Sequence, residues 1–267
     1  MIGLLRQLPG TSRLDRPEPR PDLDERDPDF IRERLPGLWL LSSLYFRGDV
    51  RGLGNIPDHG QVLLVGNHSG GVATPDTVML MAAFSSYFGV ERPLLAVTRT
   101  APLAWPPSGW LRRFGIVRPT PDAADLALRT GASVLVYPGG EREAHRPSWR
   151  RGVVDLGDDT AWVQHALRHR VPIVPVVAAG GQETALFLGR RRGMPVALTL
   201  PWGIGVGALA GTVPLPAKLT IEVLHPIDLV ERYGEDPDPE AVRDDVAAEM
   251  QRTLTAMQRA RRLPVVG

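Results

Sequence analysis

The apolar residues of this 267-residue chain fall in short runs separated by longer stretches with helical spacing. Val62-Leu63-Leu64-Val65, segment 93–98, Gly115-Ile116-Val117-Arg118 and Ser133-Val134-Leu135-Val136-Tyr137 have the length and β-branched content of strands, as do segments 48–53, 171–177 and 219–224. Between them, 75–88, 121–130 and 160–169 read as helices. A last helix starts at Asp238-Pro239-Glu240, reaches about residue 262, and places Val242, Val246, Met250, Leu254 and Met257 on one face. Strands alternating with helices predict an α/β fold, a mixed but mostly parallel central sheet flanked by helices. Pro172 and Pro175 predict that 171–177 is an edge strand, because proline cannot donate to a ladder. No internal repeat is present.

The pattern changes towards the N-terminus. Residues 1–28 contain five prolines and many charges without apolar periodicity, so residues 1–29 read as a mobile arm. Residues 30–47 are an amphipathic helical segment with Phe30, Ile31, Leu35, Leu38, Trp39, Leu41, Leu44 and Tyr45 as its apolar face, and with Pro36-Gly37 predicting a break. Such a segment either lies in a membrane interface, with Arg32, Arg34 and Arg47 near phosphates, or packs on its own domain. Residues 48–267 form the remaining domain. Residues 101–110, with two tryptophans and several prolines, suit a membrane or acyl-chain contact if exposed and a core flap if buried, and 186–211 with Arg190-Arg191-Arg192 suits a second membrane-facing lip.

Composition narrows the chemistry. With no cysteine, disulfides, thiol catalysis and Cys-based zinc sites are excluded. A net charge of +1 argues against a strongly basic nucleic-acid binder, so no nucleic-acid partner is expected. No apolar run of about 18 residues is present, and the first six residues lack the core of a secretory signal. The expectation is a soluble or peripheral protein. Lys218 is the single lysine, which weakens arguments built on any one arginine.

The chemistry-bearing stretch is Gly66-Asn67-His68-Ser69-Gly70-Gly71-Val72-Ala73-Thr74-Pro75-Asp76. It follows a buried strand and opens a helix for which Thr74 suits the N-cap and Pro75 the first position, placing Asp76 in the first turn. A histidine at a strand end, a glycine pair and a downstream carboxylate are the parts of a general-base site, although a surface histidine in a Gly-rich turn has the same letters. The order around Ser69 does not fit the Gly-x-Ser-x-Gly elbow of a serine hydrolase. His165 and His169 read as paired surface histidines rather than metal ligands, and Gly203-x-Gly205 comes too late for a dinucleotide fingerprint. A second block, Pro138-Gly139-Gly140-Glu141-Arg142-Glu143, ends another strand. Loops at the carboxyl ends of neighbouring strands share one crevice, where glycine N–H groups and Arg142 can meet an anion and Glu141 or Glu143 can orient Arg142 or His68. A solvated charged turn is the competing reading of Glu141-Arg142-Glu143.

Asn67-His68 followed by Asp76, Tyr137-Pro138-Gly139-Gly140-Glu141-Arg142 and Val171-Pro172-Ile173-Val174-Pro175-Val176, in that order, resemble the blocks of the glycerolipid acyltransferase superfamily, which includes glycerol-3-phosphate and lysophosphatidate acyltransferases. The Pro-Gly-Gly form is similar to its diacylglycerol-acyltransferase-like branch. Residues 99–118 resemble the family's acceptor-binding block. Pro214-Leu215-Pro216-Ala217-Lys218 with Leu224-His225-Pro226-Ile227 resembles its end, so the likeness runs from about residue 50 to 229. One departure stands out: seven residues separate His68 from Asp76, where the family usually has four, which leaves Glu141 or Glu143 as substitutes for Asp76.

The resemblance implies transfer of a fatty acyl group from acyl-CoA or acyl carrier protein to a hydroxyl of a glycerolipid such as a lysophospholipid. His68 would be the general base and Asp76 its orienting partner. Asn67, Gly70, Gly71, Gly139 and Gly140 would line the substrate site, with Glu141, Arg142, Arg99 and Arg118 towards the acceptor. Neither metal nor cofactor is implied. The partners implied are the acyl thioester, a membrane lipid substrate and the membrane surface, which places the protein in the cytoplasm, peripheral on the inner face of the cell membrane. A hydrolase of similar layout and a lipid-binding protein that makes no use of His68 are the alternatives.

Overall fold

The computed structural model describes residues 23–71, 74–98, 108–191, 194–199, 203–206 and 214–261. Helix α1 (Pro28–Leu40) continues as a π-helical turn (Leu41–Tyr45) and is followed by strands β1 (Asp49–Arg51) and β2 (Leu63–Gly66). The chain then alternates α2 (Pro75–Phe88), β3 (Leu94–Val97), α3 (Ser108–Arg113), β4 (Ile116–Val117), α4 (Ala123–Arg129), β5 (Ser133–Val136), α5 (Gly140–Ala144), α6 (Ala161–His169) and β6 (Ile173–Ala179). Strands β7 (Leu186–Arg191), β8 (Met194–Thr199) and β9 (Gly203–Val206) precede β10 (Thr220–Val223), α7 (Leu229–Tyr233) and α8 (Pro239–Ala260).

Seven strands form the main sheet in the order β1-β10-β6-β2-β5-β3-β4. β6, β2, β5, β3 and β4 are mutually parallel, and β10, with β1 alongside it, runs against β6. This is the mixed, mostly parallel α/β sheet that the alternating pattern predicts. Both faces are covered, and the side-chain period of two sorts each strand between two cores. Leu63 and Val65 of β2 join Val134 and Val136 of β5 in the layer under α4, α6 and α8. Val62, Leu64 and Leu135 join Ile31, Leu80 and Phe84 in the layer under α1 and α2. Leu63 and Leu64 are fully buried, each contributing about 2 kcal/mol of apolar transfer.

Two expectations are corrected. β6 is not an edge strand but lies between β10 and β2. Pro175 is tolerated there because its side of the strand faces β10, which ends at Val223, and its carbonyl still accepts from the Leu224 N–H at 2.9 Å. Pro172, just before the strand, gives its carbonyl to the Leu63 N–H at 3.0 Å. Helix α1 passes through Pro36 without a break, since Pro36 is exposed and the carbonyl deprived of its helical donor can be hydrated. Part of 186–211 forms a separate antiparallel sheet of order β7-β8-β9, which the mix of arginine, glycine and apolar residues did not announce.

Of the expected mobile arm, residues 1–22 lie outside the described residues, while Leu23–Asp29 is docked rather than mobile. Arg26 donates to the Val90 carbonyl at 2.7 Å, the Asp27 N–H to the Arg113 carbonyl at 2.9 Å, and Glu25 and Asp27 pair with Arg112 and Arg113. Asp27 also caps α1 by accepting from the Phe30 N–H. Phe30, Ile31 and Leu38 then pack inward, while Trp39, Leu40 and Leu44 stay exposed. Arg32 is engaged by Asp29 and Glu91, and Arg47 by the Pro216 carbonyl.

The two histidines four apart on α6 are explained by Asp125 of α4, which is 5% exposed. His169 Nε2 and Arg168 lie 2.9 Å from its Oδ1, with His165 Nδ1 at 3.9 Å, and Arg129 approaches Oδ2 at 2.9 Å. Burial alone would raise the Asp125 carboxyl, but the hydrogen bonds from His169 and Arg168 and the charge of Arg129 outweigh it and hold the group at about 2. A carboxyl held below its unfolded value stabilises the fold at all pH values above 3.8 and loses that contribution as pH falls through about 2. Asp125→Asn should therefore cost about 2 kcal/mol near neutral pH. Thermal unfolding measured from pH 6 down to pH 2 should show the two proteins converge; a constant gap would contradict the assignment.

Candidate active site

Five parallel strands bring their carboxyl ends to one rim, and the candidate residues stand there. β2 leaves the sheet at Gly66, where there is no space for a side chain: a Cβ would sit 2.6 Å from the Tyr137 ring. Asn67 is pinned to β6 in both directions, its Nδ2 donating to the Ala178 carbonyl at 2.9 Å and its Oδ1 accepting from the Ala178 N–H at 2.7 Å. The sequence assigned Asn67 to the substrate; the structure spends its amide on joining two strands. The chain then turns through Gly70 (φ +85°) and Gly71 (φ +62°) to Thr74 (φ +37°). These three left-handed residues lie within the extra length between His68 and Asp76. Pro75 opens α2 as expected, but Thr74 does not cap it with its side chain; Asp76 accepts from the Thr77 N–H instead, at 2.8 Å.

His68 and Asp76 are both buried, at 4% and 2% exposure, so His68 is not the surface histidine its Gly-rich setting permitted. His68 Nδ1 lies 3.6 Å from Asp76 Oδ2, longer than a hydrogen bond but within ion-pair reach. Asp76 is oriented by the Ser69 N–H at 2.9 Å and the Ser69 hydroxyl at 3.1 Å, both on Oδ2, and by Thr77 on Oδ1. A proton on Nδ1, facing the carboxylate, leaves Nε2 as an acceptor, and the Thr98 hydroxyl at the end of β3 lies 3.3 Å from it. The Tyr137 ring stacks on the imidazole with centroids 4.3 Å apart and planes 20° apart. Burial and the nearby Asp76 push the Tyr137 phenol well above 10, so its hydroxyl stays protonated while it accepts from Thr77.

The second block reaches the same rim. Gly139 packs so tightly that a Cβ would fall 2.0 Å from the Asp155 carbonyl. Gly140 has φ +53° and donates its N–H to the Tyr137 carbonyl at 3.0 Å. Glu143 is 1% exposed, and its carboxylate accepts the backbone N–H of His68 at 2.7 Å. Glu143 therefore touches His68 through the main chain, and Asp76 is the carboxylate at the ring, which resolves the choice left open by the seven-residue spacing. Burial pushes the Glu143 carboxyl up, and Arg146, the Asp155 N–H and the His68 N–H pull it part of the way back. Arg142 is largely exposed and pairs with Asp155 at 2.9 Å, on the wall of a cleft of about 350 Å³ that it shares with Arg146 and Arg150. Glu141 is half-buried at the start of α5. Arg118 is exposed just past β4, on the same rim, and Arg99 lies outside the described residues.

Sequence reasoning did not single out Thr98, Thr77 or Arg146. Thr98 had a usable signal, since it follows β3 as His68 follows β2, at the carboxyl end of a parallel strand. The others become visible only when their partners, distant in the chain, are brought alongside.

The two glycines of the second block, alike in sequence, should behave differently. Gly139→Ala forces a Cβ into the backbone of Asp155 and should cost more than about 3 kcal/mol. Gly140→Ala meets open space and costs only the positive-φ penalty, about 1 kcal/mol. Urea midpoints of the two variants against the wild type would test this, and equal losses would refute it.

Comparison with other proteins agrees with this geometry. Residues 47–179 match the Acyltransferase family. An uncharacterised protein of Mycobacterium tuberculosis is 29% identical over 248 residues, covering 88% of this chain and 69% of its own. Phytyl ester synthase 1 of Arabidopsis thaliana, a chloroplast protein, is 29% identical over 139 residues, 51% of this chain and 20% of that one. The crystal structure of the 1-acyl-sn-glycerophosphate acyltransferase PlsC from Thermotoga maritima shares the fold, with a TM-score of 0.54 at 18% identity, covering 86% of this chain and 82% of that one. The matched stretch starts before β2, ends with β6 and contains His68, Asp76 and the Gly-Gly block together, and by it residues 47–179 belong to the Acyltransferase family.

Proposed function

We propose that the protein moves a fatty acyl group from a thioester, acyl-CoA or acyl carrier protein, to a hydroxyl of a glycerolipid such as a lysophospholipid, with His68 as general base. The observation that carries this reading is the bracketing of the His68 imidazole. A buried carboxylate faces Nδ1, and a hydroxyl, that of Thr98, stands at Nε2. The acceptor hydroxyl takes that second position. Its proton passes to Nε2, its oxygen attacks the thioester carbonyl, and the imidazolium returns the proton to the departing thiolate. Asp76 stabilises the transient positive charge; contraction of the 3.6 Å separation on substrate binding makes the hydrogen bond, as happens commonly when an unliganded site fills. The tetrahedral oxyanion would be met by backbone N–H groups of the Gly70 turn or Gly139, the Gly140 N–H being bonded to Tyr137.

An ester product is supported by the relative named for phytyl ester synthesis, and a phosphate-bearing acceptor by the acyltransferase whose fold is shared. Arg142 would hold that phosphate by exchanging Asp155 for it, and Arg118 and Arg99 are the further cations offered on the acceptor side. No described helix is long and apolar enough to cross a membrane. Peripheral attachment to the inner face of the cell membrane would use exposed Trp39, Leu40 and Leu44 of the N-terminal helix together with Tyr87 of α2, to which Trp39 is tied by a hydrogen bond to Ser86.

The test is thiol release from a long-chain acyl thioester with a panel of lipid acceptors. The wild type should show acceptor-dependent release. His68→Ala should lose about 10³-fold in kcat and Asp76→Asn about 10²-fold. Undiminished acceptor-dependent turnover in His68→Ala would overturn the mechanism, and free fatty acid unaffected by acceptor would replace transfer with hydrolysis.

A further inference from the structure

We infer that Glu143 and Arg146 are positioning residues for His68, a buried ion pair that holds the base by both of its main-chain polar groups. The inference rests on the reading of His68 as general base; it gives Glu143, offered by the sequence as an alternative partner of the ring, a grip on the main chain instead, and adds Arg146. Glu143 Oε2 accepts the His68 N–H at 2.7 Å, and Arg146 Nη2 donates to the His68 carbonyl at 3.3 Å. The two side chains are joined to one another, Arg146 Nη1 to Glu143 Oε1 at 3.3 Å, with side-chain exposures of 7% and 0%. Around them most of the remaining capacity is used inside the protein, the buried Arg146 Nε excepted. Glu143 Oε1 accepts the Asp155 N–H at 3.0 Å, Arg146 also donates to the Val153 carbonyl, and Gln182 Nε2 donates to the carbonyls of Glu143 and Ala144 at 3.2 and 2.9 Å.

Stability alone does not account for such a pair. Taking two charges out of water costs at least as much as their attraction returns, and apolar residues of similar volume would serve the core as well. Apolar residues could not hold an N–H and a C=O of the same residue. Those two groups fix the plane of the chain on either side of the His68 Cα, and with it the direction in which the imidazole leaves. The ring then arrives between Asp76, Thr98 and Tyr137 with little freedom of its own. Gly139 belongs to the device, since a Cβ there would lie 2.7 Å from the Glu143 carboxylate.

The experiment combines a geometric readout with a kinetic one, using the full chain. In protein labelled with 15N-histidine, a His68 amide bonded to a carboxylate should resonate downfield and exchange slowly with solvent. Glu143→Ala should move it upfield and speed its exchange by about tenfold or more. kcat should fall by about 10²-fold with KM within about twofold, because misplacement of a base by a fraction of an ångström acts on the transition state. Glu143→Gln, which keeps one acceptor oxygen and the side-chain shape, should lie between wild type and Glu143→Ala in both readouts, and it carries the test if the alanine variant does not fold. Asp125→Asn, which removes a carboxylate paired with Arg129, His165, Arg168 and His169 and not with the His68 site, lowers stability and should leave kcat unchanged, which separates positioning from general weakening. An unmoved His68 amide in both Glu143 variants would overturn the proposal, as would wild-type kcat despite a displaced amide. Should His68→Ala itself retain full turnover, the general-base reading falls, while the amide signal still decides whether the pair grips His68.

Discussion

A chain that leaves a strand buried on both faces cannot give its polar backbone to water. This constraint governs the whole rim of the molecule. β2 is covered by helices above and below, and Asn67, His68 and Ser69 follow it while still buried. Each N–H and C=O there needs a partner from the protein, since an orphan costs more than most single contacts return. The partners come from three elements and a loop: Ala178 of β6 for the Asn67 side chain, Glu143 of α5 and Arg146 just beyond it for His68, and Asp76 of α2 for Ser69. Satisfying the backbone and building the site are thus the same event. Asp76 shows it most directly, because the oxygen that takes the Ser69 N–H is also the one that faces the imidazole.

The order of elements and the place of His68 at the carboxyl rim were legible in the sequence because both rest on local patterns. Strand-length apolar runs gave the sheet, and the histidine at the end of one of them gave the site. What escaped reading was pairwise and distant. Pro175 looked like the mark of an edge because sequence does not reveal that the neighbouring strand stops beside it. Glu141-Arg142-Glu143 looked like a solvated turn, and that is nearly right for the exposed Arg142 but wrong for Glu143, whose carboxylate is inside. Three consecutive charged letters carry no sign of which one faces inward. The spacing of seven between His68 and Asp76 was readable as a departure, but its solution, three left-handed residues in one short turn, depends on backbone angles that only two of those residues advertise by being glycine.

The N-terminal helix divides its apolar residues between the domain and the surface. Phe30, Ile31 and Leu38 are spent on the domain's own core, and the same helix leaves Trp39, Leu40 and Leu44 outside. The docking of residues 23–29 through three polar ties to α3 and one to Val90 beyond α2 fixes the angle at which that exposed ridge stands.

Parallel strands have a second rim, and here it is chemically silent. The amino ends of β2, β3, β5 and β6 are entered by turns at Asp58–Gly60, Glu91–Arg92, Thr130–Gly131 and Arg170, all largely exposed, and a side chain added at Gly60 or Gly131 would meet open space. The sheet therefore works as a one-sided tool, with a business end and a handle. Fusion partners, labels or surface linkers attached at the handle would stand a full strand length from the imidazole, and the fold offers that site for immobilising the enzyme with its crevice facing outward.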